Sequence, residues 1–323
     1  MPENKLFNKN QFELQKIRQE KNEIKKYMRE HATFDNIIND IKESIKSLPS
    51  LLLPEFKLIQ NESNNEKVLV MILSDLHIGQ ISNLDLNKYD NKILIQRLHK
   101  YFQEVKSIAE FHSVKKIILC FLGDLIEGHD IFKSIHAYSD IDHIEQVIKI
   151  SEVLSRLINE LSSKFIIEIN YVLGNHSRLS YQLKSTTNFE KLIFNYIKVR
   201  LEDNNNVSIL PSNDIYSIVK IFNFNYLLFH GHVLRDKDHA PVRLKDIMNN
   251  AGHNIHEILI GHFHNSQSRE LFANGGELII CGSLVGCNEY SFTKLQAGAK
   301  ATQTCFVVEK DKGRTATYKV KLN

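Results

Sequence analysis

Tryptophan is absent from the 323 residues, and cysteine is scarce. The four cysteines, Cys120, Cys281, Cys287 and Cys305, form no C-x-x-C pair. That argues against thiolate zinc sites and disulfides, and makes them small buried hydrophobes of a reducing compartment. The missing tryptophan, alongside abundant Lys, Asn and Ile, fits an AT-rich coding sequence rather than a function. Charge of one sign is lacking too: 41 Lys and Arg against 38 Asp and Glu leave a net +3, too near balance to mark a nucleic-acid binder by charge alone. No apolar run approaches the roughly 20 residues of a membrane span, and the polar N-terminus has no signal-peptide core. No G-x-S-x-G nucleophile elbow is present, which disfavours acyl transfer by a triad. Internal repeats and low-complexity tracts are likewise missing. The expectation is a soluble, cytoplasmic protein with no membrane contact. With 42% apolar residues it can bury a sizeable core.

What is there is organised around Val68 to Gly79, VLVMILSDLHIG. Its continuous apolar run predicts a strand buried on both faces. The run stops at Ser74-Asp75-Leu76-His77, so a carboxylate and an imidazole stand on the loop at a strand's C-terminal end, where open α/β sheets place ligand chemistry. One Asp-x-His is weak, but the pattern recurs. IILCFL ends at Gly123-Asp124, FIIEINYVL at Gly174-Asn175-His176, YLLF at His230-Gly231-His232, and EILI at Gly261-His262-Phe263-His264. Five strand-like runs deliver Asp, Asn or His to one rim.

Around these runs the chain alternates strand and helix, with helical stretches predicted over 93–111, 141–162, 189–201 and 244–251. In the second, Ile144, Val147, Ile148, Ile150, Leu154, Leu157 and Leu161 are expected to face inward. From Val207 onward strands dominate, with closing strands over 278–281, 304–308 and 316–320. Residues 1–60 differ: two amphipathic helices rich in Lys, Arg, Glu and Gln, ended by Pro49 and Pro54. They are read as packing on the main domain or on a second copy, with a partner-binding or nucleic-acid-binding arm as the alternative. The polar segment NESNNE, 61–66, is the expected boundary before a main domain over 66–323.

Asp, His and Asn converging at strand ends could make a triad, a salt-bridge cluster or a metal site. Imidazole and carboxylate without thiolate suit Mn²⁺, Fe²⁺, Zn²⁺, Co²⁺ or Ni²⁺. Seven candidates, Asp75, His77, Asp124, Asn175, His230, His262 and His264, exceed one site and fit two ions sharing a carboxylate. Two such ions about 3.5–4 Å apart hydrolyse phosphate esters.

In their order, D-x-H, G-D, G-N-H, H-G-H and G-H-x-H resemble the calcineurin-like metallophosphoesterase superfamily, over about residues 67–283. The resemblance implies an α/β/β/α four-layer sandwich, here with the helical segment added at the N-terminus. It implies that Asp75, His77 and His264 hold one metal, that Asn175, His230 and His262 hold a second, and that Asp124 bridges them. Two divalent ions are implied, with Mn²⁺ the first expectation. His176 resembles the family's catalytic histidine, which contacts phosphate and protonates the leaving oxygen. Glu127, three residues after Asp124, is suggested as the partner of His176. His232 could hydrogen-bond a ligand or the substrate, and Ser283 is read as backbone structure beside the site.

Departures point to a branch. Serine/threonine phosphatases of the superfamily read G-D-x-x-D-R-G and G-N-H-E; this chain has Gly128 where the Arg would stand and Ser177 after Asn-His, with Arg178 displaced. A phosphodiesterase or nuclease acting on DNA, RNA or a nucleotide ester is expected, with a phosphomonoesterase or a non-catalytic scaffold as alternatives. Two loops, with His129, Lys133, His136 and Tyr138, and with Arg235, Lys237, His239, Arg243 and Lys245, are candidates for gripping a nucleic acid or nucleotide. Tyr290 and Phe292 are candidates for covering the site. Residues 1–60 are the candidate surface for a homo-oligomer or protein partner.

Overall fold

The computed structural model describes residues 43, 45–52, 66–128, 139, 141–179, 187–212, 215–234, 239–271, 276–293 and 298–323. The chain divides into two compact units, Met1–Ser50 and Leu51–Asn323. What is described of the first is the end of a helix, with Lys46 Nζ 2.8 Å from Glu43 Oε1 and the last helical residue ahead of Pro49. The rest of the two expected helices and the segment 53–65 lie outside the described residues.

The second unit is built on two sheets. In the first, β1 (Lys67–Leu73), β4 (Lys116–Phe121), β5 (Ile166–Tyr171) and β6 (Val207–Ile209) run parallel. On the other side of β1 the sheet closes with antiparallel β12 (Thr302–Glu309) and β13 (Gly313–Lys321), giving the order β13-β12-β1-β4-β5-β6. β1 is central, which is why its sequence is an unbroken apolar run. The second sheet has the order β10-β11-β9-β8-β7. It comprises β7 (Tyr216–Ile221), β8 (Phe224–Phe229), β9 (Glu257–Ile260), β10 (Gln267–Glu270) and β11 (Glu277–Ile280). A small hairpin, β2 (Ser82–Leu84) and β3 (Asn87–Tyr89), follows the first motif loop. β10 has no counterpart in the sequence reading, because Gln-Ser-Arg-Glu on a sheet edge carries no apolar run.

Alternation along the strands assigns the layers. Val68, Val70 and Ile72 of β1 and Ile118 and Cys120 of β4 meet Leu228, Leu259 and Ile279 of the second sheet in the core between the sheets. Leu227, Ile258 and Ile260 point the other way, onto Met248 of α4 (Ala240–Asn250). The outer face of the first sheet is covered by α1 (Asn91–Phe111), α2 (His143–Ser162) and α3 (Glu190–Arg200). The last named helix, α5 (Glu289–Thr293), is short. The layering is helix, sheet, sheet, helix. All four cysteines are buried.

The helix starts are chemically marked. Asp90 Oδ1 accepts the Ile93 amide at 2.7 Å and Asp142 Oδ1 the Glu145 amide at 2.8 Å, each cap worth about 1 kcal/mol. Two inward assignments on α2 fail. Ile144 and Ile148 are 38% and 44% exposed. Successive helical residues are rotated by roughly 100°, which puts both on the flank of the stripe made by Val147, Ile150, Leu154 and Leu161. α4 begins before the predicted Leu244, with Pro241 in its first turn, where a missing amide hydrogen does no harm.

Candidate metal centre

The strands end where their apolar runs end, and the motif loops then lock onto one another. The amides of Asp75, His77 and Ile78 donate to the carbonyls of Gly123, Asp124 and Leu125 at 3.0–3.1 Å, so the first two loops run on as a pair beyond β1 and β4. The second loop abuts the third backbone to backbone. A Cβ on Gly174 would lie 2.1 Å from the Asp124 amide nitrogen, so no other residue fits there. Asp75, His77, Asp124, His262 and His264 all adopt left-handed backbone, with φ from 47° to 68°. For such residues this costs about 1–2 kcal/mol each. It persists only where the surroundings over-determine it, as they do at functional sites.

Two groups of donor atoms result. In the first, Asp75 Oδ1 and His264 Nε2 are 3.2 Å apart, the Nε2 atoms of His77 and His264 are 3.2 Å apart, and His77 Nε2 is 3.8 Å from Asp75 Oδ1. In the second, His230 Nε2 lies 3.0 Å from Asp124 Oδ2 and 2.9 Å from Asn175 Oδ1. Asp124, His230 and His262 each offer a ligand atom within 4.8 Å of the others. The groups adjoin, because the His262 amide donates to Asp75 Oδ2 at 3.0 Å. All seven candidates are thus brought to one place.

The chemistry of the donor set fits a cation. His230 Nδ1 faces the Leu122 carbonyl at 2.6 Å and donates to it, which leaves Nε2 a bare lone pair. That lone pair points at a carboxylate oxygen and an amide oxygen, both acceptors, and Asp124 Oδ2 is buried without a hydrogen bond. With the ring neutral these are three acceptors with no donor among them, an arrangement that calls for positive charge. Without a metal, protons supply it. Burial alone would lower the His230 pKa, but the Asp124 carboxylate outweighs it and the ring is pushed up to about 9. For the same reason His264 and His77 hold Asp75 well below the usual carboxylate range despite its burial.

Around this core, Glu127 Oε2 lies 2.7 Å from His77 Nδ1 and 3.7 Å from His176 Nδ1. His176 Nδ1 instead faces the Glu127 carbonyl oxygen at 2.9 Å, its amide donates to Asp124 Oδ1 at 2.8 Å, and its ring stands edge-on to His77 with centroids 4.6 Å apart. The His232 ring is 5.5 Å from that of His230, and its Nδ1 is buried without a hydrogen bond. Burial and the neighbouring His230 charge lower its pKa to about 4. Ser283 Oγ donates to the Asp75 carbonyl at 3.0 Å, and Arg178 Nε donates to the Asn175 carbonyl at 3.0 Å. His239, Arg243 and Lys245 fall at the start and on the body of α4. His129, Lys133, His136, Tyr138, Arg235, Lys237 and the Tyr290 side chain lie outside the described residues.

Two supports were not foreseen. Gln303 on β12 accepts the Ser74 amide at 2.9 Å and donates to the carbonyls of Ser74 and Gly282 at 3.0 and 2.8 Å, which fastens the first motif loop to the sheet. Glu190, at the start of α3, is fully buried behind the second and third loops. Neither stands near a motif in sequence.

In the order of its motifs the chain resembles the calcineurin-like metallophosphoesterases. No family model matches it. It is 25% identical over 322 residues to the SPbeta prophage-derived uncharacterized protein YonJ of Bacillus subtilis, covering 96% of this chain and 78% of that protein. Among solved structures it is similar to a novel archaeal phosphodiesterase, at 14% identity and TM-score 0.38 over 79% of this chain and 99% of that one. Vps29 of Entamoeba histolytica complexed with zinc gives 12% identity and TM-score 0.37 over 79% and 99%. A putative 5'-nucleotidase of Staphylococcus aureus gives 13% and 0.41 over 79% and 54%. These are distant likenesses, and the chemistry is argued from the site.

Proposed function

We propose that the chain is a two-metal phosphoesterase that acts as a phosphodiesterase or nuclease on DNA, RNA or a nucleotide ester. The observation that carries the metal reading is the convergence of His230 Nε2, Asp124 Oδ2 and Asn175 Oδ1 beside the group of Asp75, His77 and His264. In this reading Asp75, His77 and His264 hold one ion, Asn175, His230 and His262 the other, and Asp124 is shared. Mn²⁺ is the first choice, with Fe²⁺, Zn²⁺, Co²⁺ or Ni²⁺ compatible with the same donors. Bound there, the ions supply Lewis-acid charge against the phosphoryl oxygens and activate the attacking water.

The chain's own residues do the rest. His176, anchored through Nδ1 by the Glu127 carbonyl, presents its other nitrogen; as the imidazolium it donates a hydrogen bond to phosphate and a proton to the leaving oxygen. Glu127 holds His77 from behind, which fixes the ring nitrogen offered to the ion. A phosphoprotein phosphatase is disfavoured because Gly128 stands where the G-D-x-x-D-R-G motif has its phosphate-gripping arginine, with Arg178 displaced from that place.

The test is hydrolysis of bis-p-nitrophenyl phosphate against p-nitrophenyl phosphate with Mn²⁺, together with digestion of single-stranded and duplex DNA. Diester turnover that disappears in Asn175→Ala is expected. Preference for the monoester would make the chain a phosphomonoesterase, and no turnover of any ester by metal-loaded protein would favour a binding scaffold.

A further inference from the structure

Glu190 belongs to none of the motifs, yet its carboxylate lies where two of them must be held together. Oε1 accepts the Leu125 amide at 2.8 Å and the Ser177 hydroxyl at 2.9 Å, while Oε2 accepts the Gly174 amide at 2.7 Å. Leu125 follows Asp124, and Gly174 precedes Asn175. One side chain therefore grips the backbone beside both of these candidate ligands. The segment carrying it is itself tied to the third loop: Asn188 Nδ2 donates to the Gly174 carbonyl at 2.9 Å, and the Phe189 amide to the Ser177 carbonyl at 2.7 Å.

The arrangement is costly and specific. A carboxylate with no exposed surface is expensive to bury unless every lone pair in use meets a donor. Burial and then the nearby Asp124 charge push the Glu190 pKa up to about 7, and the Leu125 and Gly174 amides oppose that rise; because all three partners donate, the carboxylate is the form that satisfies them. Glutamine would turn an amino group toward one of the N–H or O–H groups, and aspartate would fall short by a methylene. Ser177, where the phosphatase motif has glutamate, hands its hydroxyl to this same carboxylate, so an acidic group reaches the loop from α3 instead of from the residue after His176.

We propose that Glu190 is a positioning residue that holds the Asp124 and Asn175 loops at ligand separation and so sets the affinity of the metal site these two residues share. The proposal rests on the metal reading above. Its test is calorimetric titration of the metal-free protein with Mn²⁺, for wild type, Glu190→Gln, Ser177→Ala and Arg314→Met. The last is a destabilising change at the opposite end of the strands, far from the motif loops. Glu190→Gln is expected to keep the wild-type circular dichroism and to bind one of two Mn²⁺ at least tenfold more weakly. Ser177→Ala, which removes one donor without burying a mismatch, is expected to weaken the same site by a smaller factor. Arg314→Met should lower the melting temperature and leave both affinities as in wild type.

Wild-type affinity in Glu190→Gln would overturn the proposal. So would equal weakening in Arg314→Met, which would make the effect one of general stability. Should Glu190→Gln fail to fold, Ser177→Ala decides, and unchanged binding there overturns the proposal. Wild type that binds no Mn²⁺ would bring down the metal reading and this inference together, whereas wild type that binds two with Glu190→Gln unaltered would bring down this inference alone.

Discussion

The Glu127 carboxylate stands 2.7 Å from His77 Nδ1 and a full ångström further from His176 Nδ1. A carboxylate three residues after Asp124 thus backs a metal-ligand candidate, while the catalytic candidate is held by a backbone carbonyl. Among the described residues neither His77 Nδ1 nor Glu127 Oε2 hydrogen-bonds to any other group, so the 2.7 Å pair they make is the polar contact each has in this buried place. Supports of this kind are worth roughly 10–100-fold in metal affinity. Glu127→Gln is accordingly expected to weaken Mn²⁺ binding by that order, measured by calorimetry, while the main-chain hold on His176 survives. Unchanged affinity with a displaced pH profile of turnover would return Glu127 to His176.

Protons and metal compete for the same lone pairs. His230 keeps its proton up to about 9 in the metal-free protein because Asp124 outweighs the effect of burial. A metal must therefore displace that proton at pH 7–8, and apparent affinity should rise as pH approaches 9, by up to about tenfold per pH unit for one proton released. The sign for stability is opposite. A folded pKa raised above the ordinary histidine value of 6.5 gives stabilisation that is complete below about 6.5 and lost as pH rises through 9. Metal-free protein should lose thermal stability over that window, and metal-loaded protein should not. Calorimetry in buffers of different ionisation enthalpy counts the proton; affinity flat between pH 7 and 9 would contradict the assignment.

At the far end of the strands, Arg314 on β13 reaches across to the other sheet. Its Nε donates to Glu257 Oε2 at 2.8 Å, its guanidinium pairs with Glu277, and its side chain is only 9% exposed. Burial raises the Glu257 pKa, and Arg314 opposes that rise. Removing one partner of a buried pair leaves the other charge stranded, at a cost of about 3 kcal/mol. Arg314→Met should lower the urea-unfolding free energy by about this much, and Glu257→Leu in the same chain should restore part of it. A loss below about 0.5 kcal/mol would show the triad to be solvated and weak.

Much of this architecture was legible in the residues, for a physical reason. A buried parallel strand must be apolar on both faces, and its loop must turn sharply, so IILCFL-Gly123-Asp124 and EILI-Gly261-His262 announce both strand and site. What was not legible is what folding creates at long range. Nothing local in Thr187-Asn188-Phe189-Glu190 marks a buried carboxylate, since glutamate in a first helical turn ordinarily meets water and the helix dipole. Gln303 likewise sits in an unremarkable strand. The left-handed backbone at five of the seven candidate ligands is invisible in their identities, because it is imposed by the loops packed on them. Glu127 could be placed near the site by spacing, but only the fold decides which imidazole it faces.

The proposed cage holds two divalent ions with Asp124 between them. Titration of metal-free protein with Mn²⁺ tests it most directly, with stoichiometry followed in wild type and in Asp124→Ala. Two ions per chain in wild type, and loss of at least one in the variant with the fold retained, is the predicted result. Absence of saturable binding, or identical stoichiometry and affinity in the two proteins, would contradict it.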